Sequence, residues 1–408
     1  MAGLKYWVWL SECRSLTTRA KLLLLERFGS PEGVYYAEKD EYLLVEGIGK
    51  AQAEALAAEK STAHADRILG ACERLGVRLL TMQDAEYPMR LRNIFEPPCL
   101  LYVKGRLPVM DEEVAIAVVG TRGASPYGLG AAEKLSYGMA KQGALIVSGG
   151  ASGIDAAAHR GALRAGARTV ALLGCGVDVA YPSENQRLFE DIAAMGALVS
   201  EYPPGTKAEG WHFPLRNRIL SGLCLATLVV EAPERSGALI TARTAVDQGR
   251  DVFAVPGPIN APQSRGCNRL IAEGAGLVMD SWDILREYEA QYPHKLSLRP
   301  VGEVRPLSAP AEKQTGKKTA PVPAKAPEDE TPALPALDLR AAGDALTDDQ
   351  KCILHALHEG GEMQVDDLIE AVDLPTRRVL SALTMLEIDG YVAQGALKRF
   401  SLRVRLVE

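Results

Sequence analysis

Between about Val114 and Asp280 short apolar runs alternate with helical stretches, and few folds accept that rhythm. The runs are VAIAVVG (114–120), ALIVSG (144–149), TVALLG (169–174), ALVSEY (197–202), ATLVVEA (226–232), DVFAVPG (251–257) and GLVMD (276–280). Most are almost wholly apolar, as strands buried on both faces must be, so the segment predicts a parallel sheet covered by helices on both sides. Residues 81–113 bridge into it, and LLYVKG (100–105) is expected to add an edge strand.

The flanks read differently. Residues 1–80 show Leu, Ala and Glu at helical spacing, as in LTTRAKLLLLERFG and KAQAEALAAEKSTAHADRILGACERLG, and predict a helical domain. From 291 to 345 the chain turns to Pro, Ala, Lys and Glu with few large apolar residues, the composition of an extended linker. Residues 346–408 form a last module. At 408 residues the chain exceeds what one core supports, in agreement with a division into 1–80, 81–290, 291–345 and 346–408.

The net charge of −6 confines any nucleic-acid site to a local patch on an acidic exterior. The seven cysteines lie far apart with no CxxC pair, which excludes the usual zinc-finger spacings and a disulfide framework. The N-terminus lacks a signal-peptide apolar run and no stretch is long enough to span a bilayer, so a cytoplasmic protein without membrane attachment is expected.

In open α/β sheets ligands bind beyond the carboxyl ends of the strands. There the first strand runs into GTRGASPYG (120–128), with Arg122 at the mouth and Ser125 placed to cap a helix. The second runs into SGGASGID (148–155), where Gly149 and Gly150 allow backbone amides to face an anion, Ser148 and Ser152 offer hydroxyls, and Asp155 can order the loop. The third gives GCGVDVAYPSENQRL, with Asn185 and Gln186 placed to reach a polar ligand. His159 reads as a helix-face or core histidine. Neither GxGxxG nor a Walker sequence occurs, so no nucleotide cofactor or metal is expected. Trp211–Ser221, WHFPLRNRILS, adds Arg216, Asn217 and Arg218 beside Phe213: guanidiniums for phosphate oxygens and a ring on which a base can stack. Strand ends rich in glycine, serine and cations, without paired carboxylates or a nucleophile set, suit a long polyanion better than turnover of a small substrate.

GTRGASPYG, SGGASGID, GCGVDVAYP, SEYPPG, FPLRNRILSGL, LVVEAPERSGALITA and GRDVFAVPGPI, in this order over residues 114–280, resemble the DprA/Smf family, the DNA-processing proteins of bacterial transformation. The resemblance implies an extended Rossmann-like core that binds single-stranded DNA, forms a homodimer and loads the RecA recombinase, acting as a mediator of homologous recombination rather than as an enzyme. By motif position it implies a DNA-binding pocket of Arg122, Gly149, Gly150, Ser152, Phe213, Arg216, Asn217 and Arg218. Trp211 and His212 stand where the family varies. The apolar segment from Leu270 to Leu285 is the candidate contact surface, although the same residues can simply close the core.

The N-terminal region fits the small helical domain, of SAM or helix-hairpin-helix type, that such proteins often carry. Gly47, Gly49 and Lys50 there suit either phosphate contact or a plain turn between helices. Residues 346–405 read as three helices and a hairpin, a winged helix whose recognition helix opens with Arg377 and Arg378. Two other readings exist. One is a nucleotide-processing enzyme on a Rossmann-like core, which requires a PGGxGTxxE loop that is absent. The other is a duplex-binding transcription factor using the winged helix, whose seven basic against eleven acidic residues suit a protein partner at least as well.

Overall fold

The computed structural model describes residues 3–296, 336–338 and 346–407, apart from 362, 373, 390 and 395–398. The chain divides into two compact units, 1–308 and 309–408. The first opens with helices α1 (Leu4–Glu12), α2 (Thr18–Phe28), α3 (Pro31–Tyr36), α4 (Lys39–Tyr42), α5 (Lys50–Ala58) and α6 (Ala63–Leu75). Side-chain caps start two of them: Thr17 accepts from the Ala20 amide and Ser30 from the Gly33 amide.

This helical segment is not separate from the sheet. Trp9, Leu10, Leu24 and Leu56 share one apolar cluster with Leu100, Tyr102, Phe189 and Ile192. Its end also leaves the helical pattern, because Val77–Thr81 is a strand, β1, paired antiparallel with β2 (Leu100–Gly105). LLYVKG is therefore a strand, as expected, but β1 and not β2 forms the sheet edge. After the short helix α7 (Met89–Arg92) and β2, the chain continues through β3 (Ala115–Val119), α8 (Pro126–Lys141), β4 (Leu145–Ser148), α9 (Ile154–Arg164), β5 (Thr169–Leu173), α10 (Gln186–Met195) and β6 (Ala197–Ser200). Then follow α11 (His212–Gly222), β7 (Ala226–Val229), α12 (Gly237–Asp247), β8 (Asp251–Ala254), α13 (Arg265–Ala272), β9 (Gly276–Leu277) and α14 (Trp282–Leu285).

The nine strands run in the order β1-β2-β6-β5-β4-β3-β7-β8-β9, antiparallel at β1–β2 and β2–β6 and parallel elsewhere. Strand periodicity divides β3 between two layers: Ile116 and Val118 meet Leu135 and Met139 of α8, whereas Ala117 and Val119 meet Ile219 and Leu220 of α11. From β3 the chain lays β4, β5 and β6 to one side, then returns through α11 to place β7 on the other. That reversal beside β3 is the topological switch point, where the carboxyl ends of β3 and β7 open a crevice.

Two expectations change at the end of this unit. In the contact segment, Ile284 and Leu285 are core residues, while Leu277 and Met279 are exposed. The chain stays packed beyond 291: Leu296 is buried in the α8 layer and the Lys295 ammonium lies 3.1 Å from Glu113 Oε1. Of the expected linker, 297–335 and 339–345 lie outside the described residues, and 336–338 form a strand, β10 (Ala336–Asp338).

The second unit holds α15 (Asp348–Gly360), β11 (Met363–Gln364), α16 (Val365–Ala371), α17 (Thr376–Ile388), β12 (Val392–Gln394), β13 (Arg399–Leu402) and β14 (Arg405–Val407). Strand β10 pairs parallel with β14, and β11-β13-β12 form an antiparallel sheet. Thr347 and Gln350 make a capping box at α15. Leu354, Leu357, Leu383, Leu386 and Phe400 fill the core of a winged helix. No helix among the described residues is long and apolar enough to cross a membrane.

Candidate nucleic-acid interface

A cavity of about 500 Å³ opens at the switch point, lined by the β3 loop, the first two turns of α11 and the start of α12. The β3 loop is fixed from below. Ser125 caps α8 by accepting from the Gly128 amide at 3.1 Å, and the buried Glu231 after β7 accepts from the Ser125 amide at 2.8 Å and its hydroxyl at 2.7 Å. Arg122 is left exposed at the mouth, its guanidinium 5.1 Å from the centre of the Phe213 ring, which in turn lies 5.6 Å from the Tyr181 ring. A cation and two ring faces are thus held together on the surface, the combination that accepts a base beside its phosphate.

Of the β4 loop and the start of α9, Ala151 and Asp155 line the cavity, while the predicted Gly149 and Gly150 are buried behind it and correct the expectation that their backbone faces a ligand. Gly150 adopts φ +71°, where a side chain would be strained. A Cβ on Gly149 would stand 2.6 Å from both Arg216 Nη2 and Asp155 Oδ2, so only bare backbone lets those groups approach. Arg216 is 5 % exposed, its Nη1 donates to the Gly149 carbonyl at 2.9 Å, and its Nε has no partner among the described residues. Burial pushes the Arg216 pKa down, and the nearby Asp155 carboxylate pulls it back up. Asp155, also buried, accepts from the Ala151 amide at 3.3 Å and orders the loop. Its pKa is raised to about 6 by burial, against the opposing pull of Arg216 and the Ala151 amide.

Other predicted donors face elsewhere. The Ser148 hydroxyl is buried and donates to the Val118 carbonyl at 2.6 Å, tying β3 to β4 rather than facing a ligand. Asn185 is also buried; its amide donates to the Gly150 carbonyl at 3.0 Å and braces the loop from behind. The Ser152 hydroxyl donates to Glu184 Oε1 at 2.7 Å. His159 is a core residue whose Nδ1 lies 2.8 Å from the Thr169 hydroxyl, and burial lowers its pKa to about 3.

Helix geometry separates the arginines that the sequence sets together. Phe213, Arg216, Asn217 and Leu220 face the switch-point cavity, whereas His212, Leu215 and Arg218 face a second cleft against the N-terminal helices. Arg218 is held in a bidentate pair with Glu201, at 2.7 and 2.9 Å, with its side chain 14 % exposed. The expectation that it shares the phosphate-facing surface of Arg216 is corrected: two residues along a helix turn by about 200°. A group absent from the predicted set is Arg235, which joins Ser236 and Thr241 on the opposite wall. Its position just beyond β7, at the reversal of strand order, is the sequence signal that marks it.

The outlying candidates lie in other elements. Gly47, at φ +92°, and Gly49 form the turn between α4 and α5; the Gly49 amide donates to Gln52, and Gly49 and Lys50 are exposed. Arg377 lies in the first turn of α17, and Arg378 is paired bidentately with Asp349 at 2.6 and 2.8 Å.

Fold and cavity define an α/β protein of Rossmann type carrying a winged helix. Residues 78–289 match the family model described as DNA recombination-mediator protein A, and residues 320–396 match the DprA winged helix domain. The chain is 34 % identical to Protein Smf of Synechocystis, with 98 % of each chain covered, and 40 % identical to the DNA processing protein DprA of Bacillus subtilis, covering 54 % of this chain and 74 % of that one. The crystal structure of DprA from Streptococcus pneumoniae superposes with a TM-score of 0.62 at 36 % identity, covering 69 % of this chain and 97 % of that one. The chain belongs to the DprA/Smf family of DNA-processing proteins.

Proposed function

We propose that the switch-point cavity binds single-stranded DNA without reading its sequence, and that the chain, acting as a homodimer, hands the strand to the RecA recombinase during transformation or recombinational repair. The reading is carried by one juxtaposition: the exposed Arg122 guanidinium over Phe213 at the mouth of a cavity whose wall includes Ala151 of the β4 loop and the buried Arg216. A stacking face accepts any base and cations track the phosphates, so recognition is indifferent to sequence. Asp155 is the only carboxylate among the described lining residues, and it faces Arg216 rather than a second acid. That favours binding over hydrolysis. Asn217 contributes a polar contact at the cavity wall, Ser152 braces the β4 loop through Glu184, and Arg218 acts indirectly by holding Glu201 against α11.

The family's description as a recombination mediator supports the transfer of the strand to a recombinase. A dimer places two cavities along one polymer and raises avidity through effective concentration. The exposed Leu277 and Met279 are the candidate contacts. In the test, RecA-catalysed strand exchange on a strand coated with single-strand-binding protein is timed with and without this chain. Acceleration that Arg122→Ala abolishes is expected; equal rates with and without the chain overturn the transfer step.

A further inference from the structure

The second cleft, about 470 Å³ between α1–α2 and the outer face of α11, is left unused by this reading. Three rings form its wall. His212 lies nearly parallel to Tyr202, with centroids 3.9 Å apart at 31°, and Trp211 meets His212 at 4.1 Å and 64°. Trp211 is 59 % exposed, and its indole N–H donates to Glu209 at 2.6 Å, which orients the ring while leaving a face open.

His212 is 3 % exposed, and its Nδ1 lies 3.0 Å from the Gly174 carbonyl. A carbonyl only accepts, so Nδ1 donates and Nε2 is the ring atom left to accept. Nε2 has no partner among the described residues, and the side chain lines the cleft. An in-plane acceptor beside an open aromatic face asks for a flat ligand with an N–H on its edge.

The charges exclude a phosphate site. Glu12, Glu96, Glu201 and Glu209 outnumber Arg14, Lys21 and Arg218 in the lining, and Arg218 is already committed to Glu201. We infer that this cleft is a base-accepting subsite: one nucleobase of the bound strand stacks on Trp211 and donates an N–H from its Watson–Crick edge to His212 Nε2. Every base has such a donor, and pairing occupies it, so the subsite takes unpaired strands of any sequence. Trp211 stands two residues before Phe213, so a strand stacked on Phe213 passes the start of α11 to reach it.

The inference rests on the single-strand reading, and two readouts separate them. Anisotropy of a labelled 20-mer of deoxythymidylate reports binding by the full chain. Quenching of tryptophan fluorescence by the unlabelled 20-mer reports the subsite through the exposed Trp211, once the signal of Trp211→Phe, which keeps the buried Trp7 and Trp9 and the half-buried Trp282, is subtracted. Trp211→Ala is expected to weaken binding roughly tenfold, as loss of one stacked base does, and Trp211→Phe to restore it while losing the quench. Binding by Trp211→Ala within about twofold of wild type, with no quenching of the wild-type chain at saturation, overturns the subsite and leaves the first cavity standing. Absence of any anisotropy change in wild type overturns both.

Discussion

Asp155 gives the cavity floor a pH dependence that Asp155→Asn isolates. The carboxyl is buried, and its pKa is raised from the ordinary 3.8 to about 6. Between those values the folded chain holds a proton that the unfolded chain has released. Stability from this group is therefore complete below the unfolded pKa and is lost as the pH rises through about 6. The gap, at about 1.36 kcal/mol for each pH unit, amounts to about 3 kcal/mol. Asparagine keeps the shape and an acceptor for the Ala151 amide but cannot ionise. The stability of Asp155→Asn relative to wild type should accordingly rise by about 2 kcal/mol from about pH 4 to about pH 8, the remainder of the gap falling below pH 4. Urea unfolding followed by tryptophan fluorescence suits the measurement, because all four tryptophans, Trp7, Trp9, Trp211 and Trp282, lie in the first unit. A stability difference that is flat with pH, or that moves the other way, would mean that the attraction of Arg216 outweighs burial and would refute the reasoning.

Arg122→Ala should leave the melting temperature unchanged and reduce the log–log salt slope of single-strand binding by about 0.7, the value for one lost phosphate contact. Arg218→Ala should do the reverse, lowering stability by about 1–3 kcal/mol by stranding the Glu201 carboxylate while leaving the salt slope as in wild type. Truncation after Leu296 should leave a folded first unit, whereas truncation after Ala290 removes the buried Leu296 and the Lys295–Glu113 pair and should cost about 2 kcal/mol in thermal or urea unfolding.

The parallel strands were legible because β3 to β8 lie within apolar runs that only a doubly covered sheet explains. Strand β1 was not: VRLLT exposes Arg78 and half-exposes Leu79 directly after a long helix, and an antiparallel edge strand needs no continuous apolar run. The site motifs were legible as strand-end loops, but their side-chain directions depend on packing. Ser148 and Asn185 are polar residues in the right loops that turn inward to satisfy carbonyls of Val118 and Gly150. The separation of Arg216 from Arg218 was readable in principle, since a helix beginning near His212 puts them on different faces. What the sequence did not reveal is the pairing: Glu201 of SEYPPG lies seventeen residues away in the chain and holds Arg218 on the outer face.

The central claim is that the switch-point cavity holds an unpaired strand through Arg122 and Phe213. The direct test is an anisotropy titration of the wild-type chain and of Arg122→Ala with one labelled oligonucleotide, offered single-stranded and then annealed to its complement. Tighter binding of the single strand, weakened by the substitution, is the predicted result; equal affinity for the duplex, or a single-strand affinity that Arg122→Ala leaves untouched, would contradict it.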